Sequence, residues 1–169
     1  RLNPILYGPS IHPFRQQEDP AKRLYSGPLD GGGRRSLYVK MTRMEQPKFL
    51  LIFNQPPPKL TYGKRDETNV PAQALALLND SFVVGQARFW ASQICESHLD
   101  SSVRDRINRM FLQALSRPAT ATERDRFETS ILEMASMESI PANQVLISPE
   151  IWKEVAHSIF NLKEFIYLQ

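Results

Sequence analysis

Two groups of polar residues have the chemistry to hold a ligand. Arg34 and Arg35 directly follow the glycines of "DGGG", residues 30–33, so two guanidinium forks sit beside a permissive backbone. A guanidinium presents planar N–H pairs that match a carboxylate, sulfate or phosphate. The competing use is a structural clamp on helix C-terminal carbonyls or acidic side chains. The second group lies in "RDETNVPAQALALLND", residues 65–80: Arg65, Asn69, Gln73, Asn79 and Asp80. Asn79 and Asp80 compete with helical backbone hydrogen bonding, so they are unfavourable inside a helix. They predict a kink, a break between two helices, or a buried polar network in which Arg65 meets Asp80. The ligand-binding candidates are therefore Arg34, Arg35, Arg65, Asn79 and Asp80.

Other chemistry is thin. Cys95 is the only cysteine, which rules out an internal disulfide and a thiolate metal cluster. On a helical apolar face it is expected as a small core residue. His12, His98 and His157 share no ligand spacing. A carbonyl-plus-carboxylate calcium site at Asn79 and Asp80 lacks the EF-hand spacing. The triple glycine lacks the strand-to-helix context and the lysine of a phosphate loop. No serine sits in a nucleophile elbow. Glu123 and Asp125 are read as solvated helix charges, since acid–base work needs a cleft and a shifted pKa. The expectation is no catalytic residue, no metal and no cofactor; a hydrolase or redox enzyme in its own right is the least favoured reading of this chain, which lacks a nucleophile motif, metal ligands and a cofactor loop.

The net charge of +3 hides an asymmetry. Residues 1–65 hold twelve Lys/Arg against four acids, and the remainder nine against fourteen. Such a split suits an anionic partner or, more simply, a basic segment docked on an acidic one in this chain or a neighbouring domain. The cations are scattered and no aromatic-and-basic motif accompanies them, so nucleic acid is not expected. No apolar run reaches the roughly 18 residues of a membrane span. The chain opens at Arg1 without a methionine and is read as a fragment or processed product.

The elements that must position these residues fall into two textures. At 169 residues, 41% hydrophobic and 23% charged, the chain is the size of one globular domain. Residues 1–33 carry recurrent prolines and end in glycines, which predicts an irregular arm. Alternation of Leu37, Val39 and Met41 predicts a short strand within 34–44. "PKFLLIF" predicts a short helix or turn from Pro47, and "QPPP", 55–58, an extended stretch. From Asn69 the pattern is helical. Asn69 is an expected N-cap with Pro71 in the first turn, and apolar residues cover nearly every face from Ala72 to Ser97.

A second helix begins near Asp100 or Ser101, with a stripe of Val103, Ile107, Met110, Phe111, Ala114 and Leu115. Thr120 and Glu123 form a capping box for a third, whose apolar side is Phe127, Ile131, Leu132, Met134 and Ala135. Ser148, Pro149 and Glu150 open a fourth, with Ile147 expected to pack on Trp152 as a hydrophobic staple. The fold class is mainly α: an antiparallel bundle of about four helices with an irregular Pro/Gly-rich N-terminal arm. Residues 1–68 are the basic arm and 69–169 the bundle, expected together as one structural domain.

Several spaced motifs carry a family resemblance. "GRRSLY" (33–38), "RDETNVPAQALALLND" followed by "FV", "RINRMFLQALSRPATATE" (106–123) and "W…AHSIFNLKEFIYL" (152–168) occur in that order. The chain resembles the domain of unknown function fifteen fifty-three, also called planctomycete PSD-one, of large planctomycete and verrucomicrobial surface-type proteins. The likeness runs from about Gly33 to the end, with residues 1–32, including "GPS" (8–10), similar to a linker region within the same domain. The resemblance implies an upstream cytochrome-c-like domain, a second upstream domain of unknown function, and a periplasmic or cell-envelope setting. It implies no haem here, because the chain has no Cys-x-x-Cys-His, and it supplies no catalytic residues. Two functions follow as expectations. One is a helical accessory domain packed on upstream domains of the same polypeptide. The other is a module binding an anionic ligand or polysaccharide.

Overall fold

A computed structural model describes residues 2–42, 46–58, 61, 63–64, 71–97 and 102–166. Seven α-helices lie among them: α1 (Lys48–Ile52), α2 (Pro71–Asn79), α3 (Ser81–Ser97), α4 (Val103–Leu115), α5 (Ala121–Met137), α6 (Pro149–Phe160) and α7 (Lys163–Ile166). The fold is mainly helical. The described residues form no strand, only isolated bridges pairing Ile11 with Val39 and Asp19 with Leu24. No helix among them is long and apolar enough to cross a membrane. The chain divides into two compact units, Arg1–Phe82 and Val83–Gln169, so α2 belongs with the first and the boundary falls in the first turn of α3.

The first unit is organised by polar contacts. Among its described residues only Gln73 and Leu77 are buried. Residues 13–27 fold back on themselves. Arg15 donates its amide to Ser26 Oγ at 3.0 Å and its guanidinium to the Tyr25 carbonyl at 2.6 Å. The Glu18 carboxylate accepts from the Ser26 amide at 2.7 Å. Gly27 is required for this closure, because a Cβ there would lie 1.8 Å from the His12 carbonyl oxygen. Residues 3–11 run beside 33–40: Asn3 donates to the Gly33 carbonyl, Ile11 to that of Tyr38, and Lys40 to that of Ile11.

The strand expected within 34–44 does not form over its described residues. Ser36–Tyr38 is a 3-10 turn and only Val39 joins a bridge. The reason is physical: Leu37 is 86% exposed, so the alternating pattern has no face to bury. Residues 43 and 44 lie outside the described residues. The helix expected from Pro47 is present as α1, with Pro47 at its N-cap. Pro71 opens α2, where its missing N–H costs nothing; the expected cap, Asn69, lies outside the described residues.

The second unit has an apolar core. Ala87, Ala91, Ile94, Cys95, Ile107, Met110, Phe111, Ile131, Trp152, Val155 and Ile159 are buried in one cluster. These positions recur at three and four residues along α3, α4, α5 and α6, the spacing that puts side chains on one helical face. Trp90 donates to Gln113 at 3.0 Å and Arg106 to Cys95 Sγ at 3.7 Å, so α3 and α4 run antiparallel. Ser102 caps α4 by accepting from the Asp105 amide at 3.1 Å. The capping box of α5 is present in both directions: Thr120 Oγ1 accepts from the Glu123 amide, and Glu123 accepts from the Thr120 amide at 2.7 Å.

Two expectations about packing are corrected. Leu132, assigned to the apolar side of α5, is 54% exposed, lying just off the buried Ile131 and Ala135 face. Ile147 does not staple α6, being 55% exposed. The chain enters α6 through a 3-10 turn, Ala142–Ile147, which turns Val145 into the core instead. The Val145 carbonyl accepts from Trp152 Nε1 at 2.9 Å.

Candidate functional site

Arg34 is a clamp on its own arm. Its Nη1 donates to the Pro9 carbonyl at 2.8 Å and its Nη2 to the Tyr7 carbonyl. The guanidinium carbon lies 3.8 Å from the Tyr38 ring centroid, a close cation–π stack. Tyr38 completes the arrangement by accepting from the Tyr7 amide through its hydroxyl at 3.0 Å. The carbonyls so gripped flank a reversal at Tyr7 and Gly8, both at positive φ (65° and 91°). The fork that the sequence offered for a carboxylate or phosphate thus satisfies loop carbonyls, neither helix ends nor acids. Arg35, the next residue, is exposed.

The second group separates into local roles. Asp80 breaks the apolar run into two helices and its Oδ1 accepts from the Phe82 amide at 2.8 Å, capping α3. Asn79 is exposed and donates to the Leu75 carbonyl one turn back at 3.0 Å, within its own helix. Of the three readings of this pair, the break between helices is the one found, and Asn79 is not in a buried network. Gln73 is 5% exposed and donates to the Ile52 carbonyl at 3.0 Å, tying α2 to the last turn of α1. Arg65 and Asn69 lie outside the described residues, and so does any meeting of Arg65 with Asp80.

Sequence reasoning passed over two heavily engaged arginines. Arg106 is 2% exposed. It donates to the Leu146 carbonyl and lies with its guanidinium carbon 4.9 Å from the Trp152 ring centroid. A cation one residue before Ile107 in the apolar stripe was the available signal. Cys95 beside it is buried, and burial pushes its thiol pKa up despite the neighbouring Arg106 charge. This is the environment of a core cysteine.

Arg117 follows the αL residue Ser116 that ends α4. It makes two forks: Nη1 and Nη2 to Glu123 at 2.9 and 2.8 Å, and Nε and Nη2 to Glu164 at 2.8 and 2.6 Å. Hydrogen bonding to Arg117 holds the Glu123 carboxyl down at about 2, against the cost of burial, with Thr120 adding to the effect. The same arginine lowers Glu164. Glu123 is therefore no simple solvated charge, as its sequence context suggested. It closes a capping box and anchors an arginine at once. The signal was "SRPATATE", where an arginine stands six residues before the capping glutamate.

On α5 an open, shallow depression is lined by Thr122, Asp125, Arg126, Thr129 and Ser130, all from one helix. Asp125, and Glu128 on the same helix, pair with Arg104 at 2.9 and 2.7 Å. Among the described residues no three His, Cys, Asp or Glu side chains come together as a metal site would need.

No curated protein and no solved structure matches the chain. One family model does, over residues 1–131. That span takes in residues 1–32, in keeping with their likeness to a linker region within the same domain. It stops within α5, so "W…AHSIFNLKEFIYL" falls outside it, contrary to the expectation of a likeness reaching the end. With most of its residues matched, the chain belongs to the PSD1 family, described as proteins of unknown function (DUF1553).

Proposed function

We propose that this chain is a helical accessory domain of a multidomain bacterial cell-envelope protein, periplasmic or envelope-associated, and that another domain of the same polypeptide covers its N-terminal arm. One observation carries the reading. Leu2, Ile5, Leu6, Tyr7 and Leu37 are 60%, 64%, 60%, 81% and 86% exposed. Scattered single apolar residues on a surface need no explanation, but a succession of large ones on two paired segments marks an interaction site. These segments are held in a defined conformation by the Arg34 clamp, which argues for a specific contact. The rival reading, anion or polysaccharide binding, has less behind it, since Arg34 is committed to carbonyls and Arg35 stands without it.

A glycan and anion binding screen tests the choice, run on residues 1–169 beside the multidomain polypeptide. The chain alone is expected to bind nothing saturably. Saturable binding by the chain alone, abolished by Arg35→Ala, would sink the accessory reading in favour of the ligand module.

A further inference from the structure

We infer that residues 2–9 and 33–40 form a preformed docking ribbon for an apolar protein face that also carries carboxylates, held in its binding shape by Arg34. This rests on the accessory-domain reading and names the chemistry of the covering domain's face.

The main chain brings the two segments together. Asn3 donates to the Gly33 carbonyl at 2.8 Å, and Ile11, two residues past the first segment, donates to the Tyr38 carbonyl at 2.9 Å. The five exposed apolar side chains are therefore carried on one pair of adjacent segments, not scattered over the unit. Binding a loose arm would cost ordering entropy for each residue fixed. Here Arg34 has already met that cost by gripping Tyr7 and Pro9 and stacking on Tyr38. The Arg34 side chain is itself part-buried, so it acts as a positioning residue beneath the surface.

Charge selects the partner. The two segments contain Arg34, Arg35 and Lys40 and no carboxylate. Arg35 and Lys40 are exposed, and neither forms an ion pair with a described residue. Exposed apolar side chains and unpaired cations carried on the same two segments are complemented by an apolar patch that also carries Asp or Glu. An anionic lipid surface has the same sign but suits the ribbon less well. Lipid-binding segments gather roughly four to eight cations, whereas only two are exposed here.

Hydrogen exchange on the multidomain polypeptide, compared with residues 1–169 alone, tests the inference. Peptides covering 2–9 and 33–40 are expected to exchange at least ten-fold more slowly in the longer polypeptide. The double variant Arg35→Glu/Lys40→Glu, both sites being exposed, should lose most of that protection while leaving the global unfolding midpoint unchanged. Arg34→Ala should lose it too, and Arg34→Lys should not rescue it, because one ammonium cannot grip both carbonyls and stack. Protection that survives the charge reversal overturns the carboxylate contact and leaves the accessory reading standing. Absence of protection in the unaltered polypeptide overturns both. If the unprotected chain instead sediments with phosphatidylglycerol vesicles, the partner is lipid and the inference fails.

Discussion

The two units of this molecule solve the same problem by different physics. The second buries a contiguous apolar cluster, from Ala87 to Ile159, and leaves its charges to staple helix ends. The first buries two described side chains and closes its turns with carbonyls, amides and the guanidinium groups of Arg15 and Arg34. Arginine marks the contrast. Arg34 organises backbone where there is no core, whereas Arg106 is admitted into a core and is satisfied there by a carbonyl and an indole face. Burial per residue is what lets a unit hold its shape through side chains alone. Where burial is missing, the chain relies on local hydrogen bonds, which are individually weak in net terms.

Breaking the core should therefore show the largest effect. Trp152→Ala removes a fully buried ring at the centre of the cluster. It is expected to cost about 3–5 kcal/mol in denaturant unfolding. A cost below about 1 kcal/mol would erase the contrast between the units. Next in size is Arg106→Ala, expected at about 2–3 kcal/mol, since it strips a half-buried carbonyl of its donor and an indole of its cation. Arg106→Met should recover part of the loss by restoring volume; equal destabilisation by both variants would assign the effect to hydrogen bonding rather than packing.

Glu123→Gln comes third, at about 1 kcal/mol near neutral pH, a value kept small because the pair is partly solvated. Its sign with pH is fixed by direction. The folded carboxyl lies at about 2, below its ordinary 4.5, so the ionised form favours the folded state. That stabilisation is complete above pH 4.5 and drains away as pH falls toward 2. The gap in stability between the parent chain and Glu123→Gln should close over that window, as followed by thermal melts at stepped pH. A gap independent of pH would show that Arg117 contributes through packing on Phe111 alone.

The smallest global effect belongs to the arm. Gly27→Ala forces a Cβ toward the His12 carbonyl. The amides of Arg15 and Ser26 should then exchange about ten-fold faster. Amides of α4 and α6 should not change. If they do, the arm is not an independently opening segment.

The helical half was legible because its signals are local. Pro149 at N1, the Thr120–Glu123 box and the stripe from Val103 to Leu115 each act within a turn or two, and each was found in place. What escaped depends on distance in sequence. Nothing near Leu37 announces that no layer lies over it, so its alternation with Val39 suggested a strand. Nothing near Arg34 announces Tyr7 and Pro9, whose carbonyls it grips. Arg106 went unremarked because the residues that satisfy it, Leu146 and Trp152, come forty or more positions later. Asp80 was legible as an interruption, but whether it served a cap or a network required the Phe82 amide to be seen.

Arg117 also has a temporal meaning. It joins one partner six positions away, Glu123, and another forty-seven away, Glu164. Closing the short loop costs little chain entropy and the long one more. The Arg117–Glu123 link can therefore exist in the folding transition state, as the turn between α4 and α5 nucleates. The Arg117–Glu164 link is expected to form only after α6 has docked. Stopped-flow kinetics should divide the two: Glu123→Gln slows refolding, whereas Glu164→Gln mainly speeds unfolding. One guanidinium would thus be an early and a late event in the assembly of the same bundle.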